Sequence, residues 1–331
     1  MRLVTLTLHP TIDRVLEIKA LKPGATFDAR LLMTVPAGKG VNTARVLRCL
    51  CQERQPIVAA AWIGEGEKEW FARQLAVLSG IRAALCPRPC FTRYASTLLE
   101  QSGRETHIKE RMPAVTRAEE TALLAYWRTV VRGGDIVALC GSAPARTSAE
   151  TLREVYSVAR RNGARTIVAD GSGVALSVAG AAGLDGLKGN AAEIGAWLGL
   201  RRPFNAAQRA HREALVAAFA RKGAPRAIMI TLGAGGALLA ANGSLWRATP
   251  PQIGRAASPA GVAGLQSATG CGDAATAGWV WALRDKCSAE ETLRRAVACG
   301  TAKLASADPG RVDRRYVLRL RAAMTVTGIR L

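Results

Sequence analysis

Asp135-Ile136-Val137-Ala138-Leu139, an amphipathic stretch over Ser148–Asn162, and then Thr166-Ile167-Val168-Ala169 follow one another between residues 135 and 169. Short unbroken runs of Val, Ile, Leu and Ala suit strands covered on both faces, and a helix between two of them is the crossover of a parallel sheet. Outward from this unit the alternation continues. Strands are predicted at Leu3–Leu8, Ile57–Trp62, Ala227–Thr231 and Ala237–Ala241, and helices at Lys39–Cys51, Glu67–Ser79, Thr116–Arg132 and Ala206–Lys222. The pattern predicts an α/β protein, doubly wound or of a related three-layer kind. A chain of 331 residues, 49% of them hydrophobic, can fill the core of one large domain with a small appendage.

Two stretches break the helical rhythm. Residues 12–35 alternate Val15, Glu17 and Lys19 before Pro23-Gly24, and residues 91–111 hold two extended runs around Gly103. Both read as hairpins outside the alternation, and together they predict a small β-rich lid that closes over a substrate at the strand ends. Ordinary edge strands of the same sheet would produce the same pattern.

The bulk properties exclude more than they assign. No window reaches the ~18 apolar residues of a membrane helix, and Leu3–Leu8 follows Met1-Arg2 without a leader's cleavage site, so a cytoplasmic protein with no membrane partner is expected. The eight cysteines form no Cys-x-x-Cys pair and read as buried or idle thiols. The net charge of +21 would suit a polyanionic partner or phosphorylated substrates. Its basic residues come singly or in pairs with few interleaved aromatics, so a solvated basic surface is expected in preference to a nucleic-acid site.

Neither a Walker A loop nor a Gly-x-Gly-x-x-Gly turn after the first strand is present, so a nucleotide would have to be held differently. Gly270-Cys271-Gly272-Asp273 instead leads into a helical stretch, Ala274–Leu283. Glycines bring the backbone close to an anion, and the first turn of a helix presents free N–H groups at the positive end of its dipole. Asp273 at the mouth of that turn adds a carboxylate that can take a proton from an attacking hydroxyl, and the dipole is expected to keep it ionised. A glycine turn with Asp as a plain helix cap fits the same spacing.

Ala37-Gly38-Lys39-Gly40-Val41-Asn42-Thr43-Ala44 and Ala268-Thr269-Gly270-Cys271-Gly272-Asp273-Ala274 resemble the two signature regions of the ribokinase-like carbohydrate kinases, the phosphofructokinase B family. Thr5–Asp13, Thr92-Arg93, Cys140–Pro144, Asp170–Gly173, Lys188-Gly189-Asn190 and Thr231-Leu232-Gly233 extend the resemblance nearly end to end, closest to the hexose-phosphate branch that contains 1-phosphofructokinase and tagatose-6-phosphate kinase. The resemblance implies a single ribokinase-like kinase domain over residues 1–331, a three-layer α/β/α body with the lid, and ATP-dependent phosphorylation of fructose 1-phosphate, tagatose 6-phosphate or fructose 6-phosphate. It implies Asp273 as general base within the turn of Gly270, Cys271 and Gly272. Asp13, Gly38, Asn42 and Ser142 would lie on the sugar, with Lys39 and Arg93 supplying charge for its phosphate. Lys188, Asn190, Thr231, Gly233, Gly236 and Ser267 would lie along ATP, and Glu193 would help hold Mg²⁺ through water. Asn190 and Glu193 also read as a helix cap and its capping-box partner. Lid strands would pair two subunits. A kinase for an unphosphorylated sugar or nucleoside, and a basic nucleic-acid-binding regulator on a kinase scaffold, stay open as alternatives. His9, Ala37, Ala95, Met112 and Gly189 depart from the branch pattern, mostly on the sugar side.

Overall fold

The computed structural model describes residues 1–51, 55–251 and 267–329. Among these residues ten strands form the main sheet: β1 Leu3–Thr7, β4 Ile57–Gly64, β5 Arg82–Arg88, β8 Ile136–Gly141, β9 Thr166–Gly171, β10 Gly186–Asn190, β11 Ala227–Thr231, β12 Ala237–Ala241, β13 Ser244–Thr249 and β14 Thr325–Ile329. Their order is β14-β13-β12-β11-β10-β9-β8-β1-β4-β5. The run from β11 to β5 is parallel, and β12, β13 and β14 add antiparallel strands at one side.

Side chains alternate across the strands and so divide the core in two. Ile57, Ala59 and Ile63 of β4 face α1 (Lys39–Leu50), α2 (Lys68–Ser79), α8 (Cys271–Arg284), α9 (Ala289–Lys303) and α10 (Arg314–Ala322). Val58, Ala60 and Trp62 face α3 (Arg117–Val130), α4 (Ala149–Arg161), α5 (Val174–Ala179), α6 (Ala191–Trp197) and α7 (Arg209–Phe219). The result is three layers, as the alternation predicts. Helix starts follow their caps: Thr116 closes a capping box with Glu119, and the Ser148 hydroxyl accepts from the Thr151 N–H.

The two stretches outside the rhythm pair with each other. β2 (Thr11–Ile18) and β3 (Arg30–Ala37) form one hairpin, β6 (Tyr94–Glu100) and β7 (Glu105–Lys109) the other, and β2 runs parallel to β6 in a separate four-stranded sheet, β3-β2-β6-β7. Gly103 turns the second hairpin at φ +87°, where a side chain would be strained.

In chain order the main sheet grows from β1 toward β4 and β5 on one side and from β8 onward on the other. The strand order therefore switches between β1 and β8, and a crevice opens outside the carboxyl ends of the strands there. One register row across those ends runs Thr7, Cys140, Asp170, Lys188 and Met229.

Candidate active site

A cavity of about 410 Å³ lies at that crevice, between the main sheet, the small sheet and the start of α8. Asp13, Gly38, Lys39, Asn42, Arg93, Ser142, Gly270 and Asp273, all singled out in the sequence, line it together.

Asp273 stands in the first turn of α8, which begins at Cys271, three residues earlier than the sequence suggests. Gly270 makes the entry possible. Its φ is +88°, and a Cβ there would lie 2.4 Å from the Pro309 carbonyl oxygen. The Asp273 carboxylate is 7% exposed and accepts a 2.8 Å hydrogen bond from the Asn42 side-chain amide, while Thr43 donates to its backbone carbonyl. Burial pushes its carboxyl up; Lys39 and the Asn42 bond pull it down, Asp170 pushes it up again, and the outcome is about 6. Desolvation thus lifts this carboxyl above its ordinary value despite the helix terminus, without overturning the expected ionisation at neutral pH. The group is still mainly ionised at pH 7.

Beneath the turn lies Asp170, at the end of β9 and 1% exposed. It accepts from Lys188 Nζ at 2.8 Å, Lys39 Nζ at 3.2 Å and Thr276 Oγ1 at 2.7 Å. Burial pushes its carboxyl up, but Lys188 and Lys39 outweigh this and hold it at about 2. The same pairing, against burial, raises Lys39 above its ordinary value, with further help from Asp273 and Glu193. Sequence reasoning placed Lys39 beside a sugar phosphate and Lys188 along a nucleotide. In the structure both ammonium groups converge on Asp170, and Lys188 is 3% exposed under Gly272. Asp170 opens one of the segments that carry the family resemblance, but the sequence alone assigns it no role. Its signal is a carboxylate closing a buried parallel strand, where only paired charge is tolerated.

The opposite wall is built by the small sheet. Asp13 Oδ1 accepts from Thr11 Oγ1 at 2.6 Å, and burial raises the Asp13 carboxyl. Arg93 reaches the His9 carbonyl at 3.4 Å. His9 Nδ1 lies 3.3 Å from Ser142 Oγ, and burial with Arg93 and Arg88 nearby drops its imidazole to about 4, so it is neutral. His107 and Lys109 of β7, which sequence reasoning missed, also face the cavity; two residues apart on one strand, they share a face. Asn42 Oδ1, His9 Nε2 and Arg93 Nε are buried polar atoms without a partner among the described residues, all on residues of this cavity. Such atoms are rare in protein interiors, and around an open polar cavity they are points for a hydroxyl- and anion-bearing ligand to satisfy.

Asn190, Glu193, Thr231, Gly233, Gly236 and Ser267 are not among the residues lining this cavity. Asn190 and Thr231 are register partners closing β10 and β11. Asn190 and Glu193 do form the capping box at α6: the Asn190 N–H donates to Glu193 Oε2 at 2.8 Å, and the Glu193 N–H to Asn190 Oδ1 at 2.9 Å. Gly233 is exposed in the short turn Gly233–Gly235. Gly236 is buried because a Cβ would meet the Ala248 carbonyl of β13, so packing between strands demands that glycine. Ser267 is 4% exposed, and its hydroxyl accepts from the Thr269 N–H, inside the turn rather than at its surface.

A parallel three-layer body, a small sheet beside its strand ends and a carboxylate in a glycine turn at a helix start define a ribokinase-like sugar kinase. The family model of the pfkB family carbohydrate kinases matches residues 11–311, and the chain belongs to that family. It is 31% identical to a 1-phosphofructokinase of Rhodobacter capsulatus over 93% of this chain and 92% of that one. It is 28% identical to a 1-phosphofructokinase of Xanthomonas campestris, covering 98% of each chain. The crystal structure of phosphofructokinase-2 from Escherichia coli in complex with potassium superposes with a TM-score of 0.85 at 25% identity, covering 97% of this chain and 98% of that one. No described helix is long and apolar enough to cross a membrane.

Proposed function

We propose that this enzyme transfers the γ-phosphoryl group of ATP to a hydroxyl of a ketohexose phosphate, the chemistry named for its relatives being the phosphorylation of fructose 1-phosphate. Fructose 6-phosphate and tagatose 6-phosphate are the neighbouring candidates. The observation that carries the reading is one cavity holding a buried carboxylate, Asp273, hydrogen-bonded by Asn42, together with Asp13 and the cationic Arg93 and Lys109.

In this reading Asp13 and Asn42 hold the sugar's hydroxyls, and Arg93, with Lys109, takes the phosphate that the sugar already carries. Asp273 accepts the proton of the attacking hydroxyl as its oxygen bonds to phosphorus. Lys39, held by Asp170, and the free N–H groups of the α8 turn stabilise charge on the moving phosphoryl group. Asn190, Thr231, Gly233 and Ser267 flank the nucleotide's side of the crevice, and the small sheet closes over the sugar within a single kinase domain.

The residues fit a magnesium ion that arrives with the nucleotide. Among the described residues no group of three or more His, Cys, Asp or Glu side chains is placed to hold a metal alone. Glu193 engages Asn190 through one oxygen, leaving the other for a water of the ion's shell. When bound, the ion neutralises phosphate charge and orients the phosphate oxygens.

We also place the enzyme in the cytoplasm, where ATP is supplied, and pair two copies through the small sheet. Leu31 and Ile108, on its two edge strands, are 50% and 56% exposed. Sedimentation of the purified chain tests the pairing, and a monomer at micromolar concentration removes it. For the reaction, ADP release is measured over fructose 1-phosphate, fructose 6-phosphate, tagatose 6-phosphate, fructose, ribose and adenosine. A phosphorylated ketohexose should give the highest kcat/KM, and a preference for a neutral sugar or nucleoside overturns the assignment.

A further inference from the structure

Lys303, the last residue of α9, has 0% of its surface exposed, and no carboxylate among the described residues lies within 4 Å of its ammonium group. Its Nζ donates to two backbone carbonyls, Ser267 at 3.2 Å and Ser306 at 2.7 Å. A buried ammonium is normally paired with an anion, so one held by carbonyl dipoles alone is in the setting of a bound monovalent cation rather than of a salt bridge.

The location gives that charge a task. Ser267 leads into the turn that ends at Asp273, and Ser306 belongs to the loop whose Pro309 carbonyl backs Gly270. The last turn of α9 is pressed against the same turn: a Cβ on Gly300 would lie 3.1 Å from the Cys271 carbonyl oxygen. Lys303 thus ties the chain entering the turn to the loop supporting it, at the carboxyl end of a helix, where the dipole favours a cation. Burial lowers its pKa, while Cys271, Asp308, Glu105 and Asp273 act in the other direction.

We propose that Lys303 is a covalently tethered internal cation that holds the catalytic turn in its anion-accepting shape, so that the enzyme needs no added monovalent cation. This rests on the reading of residues 270–273 as the phosphoryl-transfer turn. Lys303 touches neither substrate nor reacting atoms and is a positioning residue.

The test measures kcat and KM of the full chain in buffers whose salt is potassium, ammonium, sodium or tetramethylammonium chloride at constant ionic strength. Wild-type kcat should be the same in all four within about twofold. Lys303→Ala opens a cavity lined by the same carbonyls, and its kcat should fall by roughly a hundredfold, as for loss of a preorganised electrostatic group, with KM for ATP changed little. Potassium or ammonium should restore at least tenfold of that loss in a saturable way, and raise the variant's melting temperature, while tetramethylammonium does neither. A structural lysine alone would give no ion-selective rescue. Full kcat in Lys303→Ala, loss that neither small cation restores, or a wild type that needs potassium each overturns the proposal. The wild-type comparison decides it even where the variant does not fold. A wild type inactive on every sugar phosphate instead refutes the functional reading on which this rests.

Discussion

Replacing Asp170 by Asn removes the carboxylate that pairs with the buried Lys188 and the partly exposed Lys39. Lys188 is 3% exposed, Asp170 is 1% exposed, and their contact is 2.8 Å. Asn keeps the volume and can still accept from Thr276, but it leaves the Lys188 ammonium without a countercharge. Depriving a buried ion of its partner costs about 3–5 kcal/mol. A second route reaches a similar magnitude. A carboxyl held at about 2 against an ordinary 3.8 contributes roughly 2–3 kcal/mol at neutral pH. Because the folded value is depressed, that stability is present above pH 4 and is lost as pH falls toward 2. Urea unfolding at pH 7.5 should therefore show Asp170→Asn about 3 kcal/mol or more less stable than the wild type, with the difference shrinking in acid. Asp170 also pushes Asp273 up, so the acid limb of the activity of Asp170→Asn should move to lower pH. A stability change under about 1 kcal/mol, the scale of an exposed pair, would refute the account of this cluster.

Other outcomes follow from the same geometry. Arg93→Ala should raise KM for the sugar phosphate by roughly 10- to 100-fold, the loss of a charge-assisted contact, and leave KM for ATP nearly unchanged; equal effects on both substrates would contradict its role. With Asp273 at about 6, kcat/KM should fall tenfold per pH unit below that value, and a profile flat to pH 5 would remove this carboxylate as the base. Gly270→Ala must accept φ +88° and a Cβ 2.4 Å from the Pro309 carbonyl, so its melting temperature should drop by an amount equivalent to about 2 kcal/mol or more.

The sequence made β1, β4, β8, β9, β11 and β12 legible because each is a short apolar run bounded by helices or turns. It hid β10, whose Gly186-Leu187-Lys188-Gly189-Asn190 carries a charge that only Asp170 explains. It also hid β14, an edge strand with little buried surface, and β5, where Ala and Pro87 dilute the strand pattern. In the site, the glycine turn and Asp273 could be read from one segment, since turn and helix start are contiguous. The Asp170 cluster could not. It joins Lys39, Asp170, Lys188 and Thr276 from four elements, and only the register across the strand ends brings them together. His107 and Lys109 were hidden for a similar reason, because their facing depends on the pairing of β6 with β7. The rise of the Asp273 carboxyl was not legible either, because a sequence shows a helix start but not how deeply it is buried.

The most direct measurement is kcat for Asp273→Asn beside its unfolding free energy at pH 7.5. A carboxyl raised from 3.8 to about 6 by folding destabilises the native state above pH 6, by roughly 3 kcal/mol, and stops doing so below pH 4. Asn has no such penalty and can still accept the Asn42 hydrogen bond. The variant should be at least as stable as the wild type at pH 7.5, bind ATP and sugar phosphate with little change, and lose on the order of 10²–10⁴ in kcat. Near-normal kcat in a folded Asp273→Asn would contradict the account, leaving the carboxylate as a helix cap and the proton to some other group.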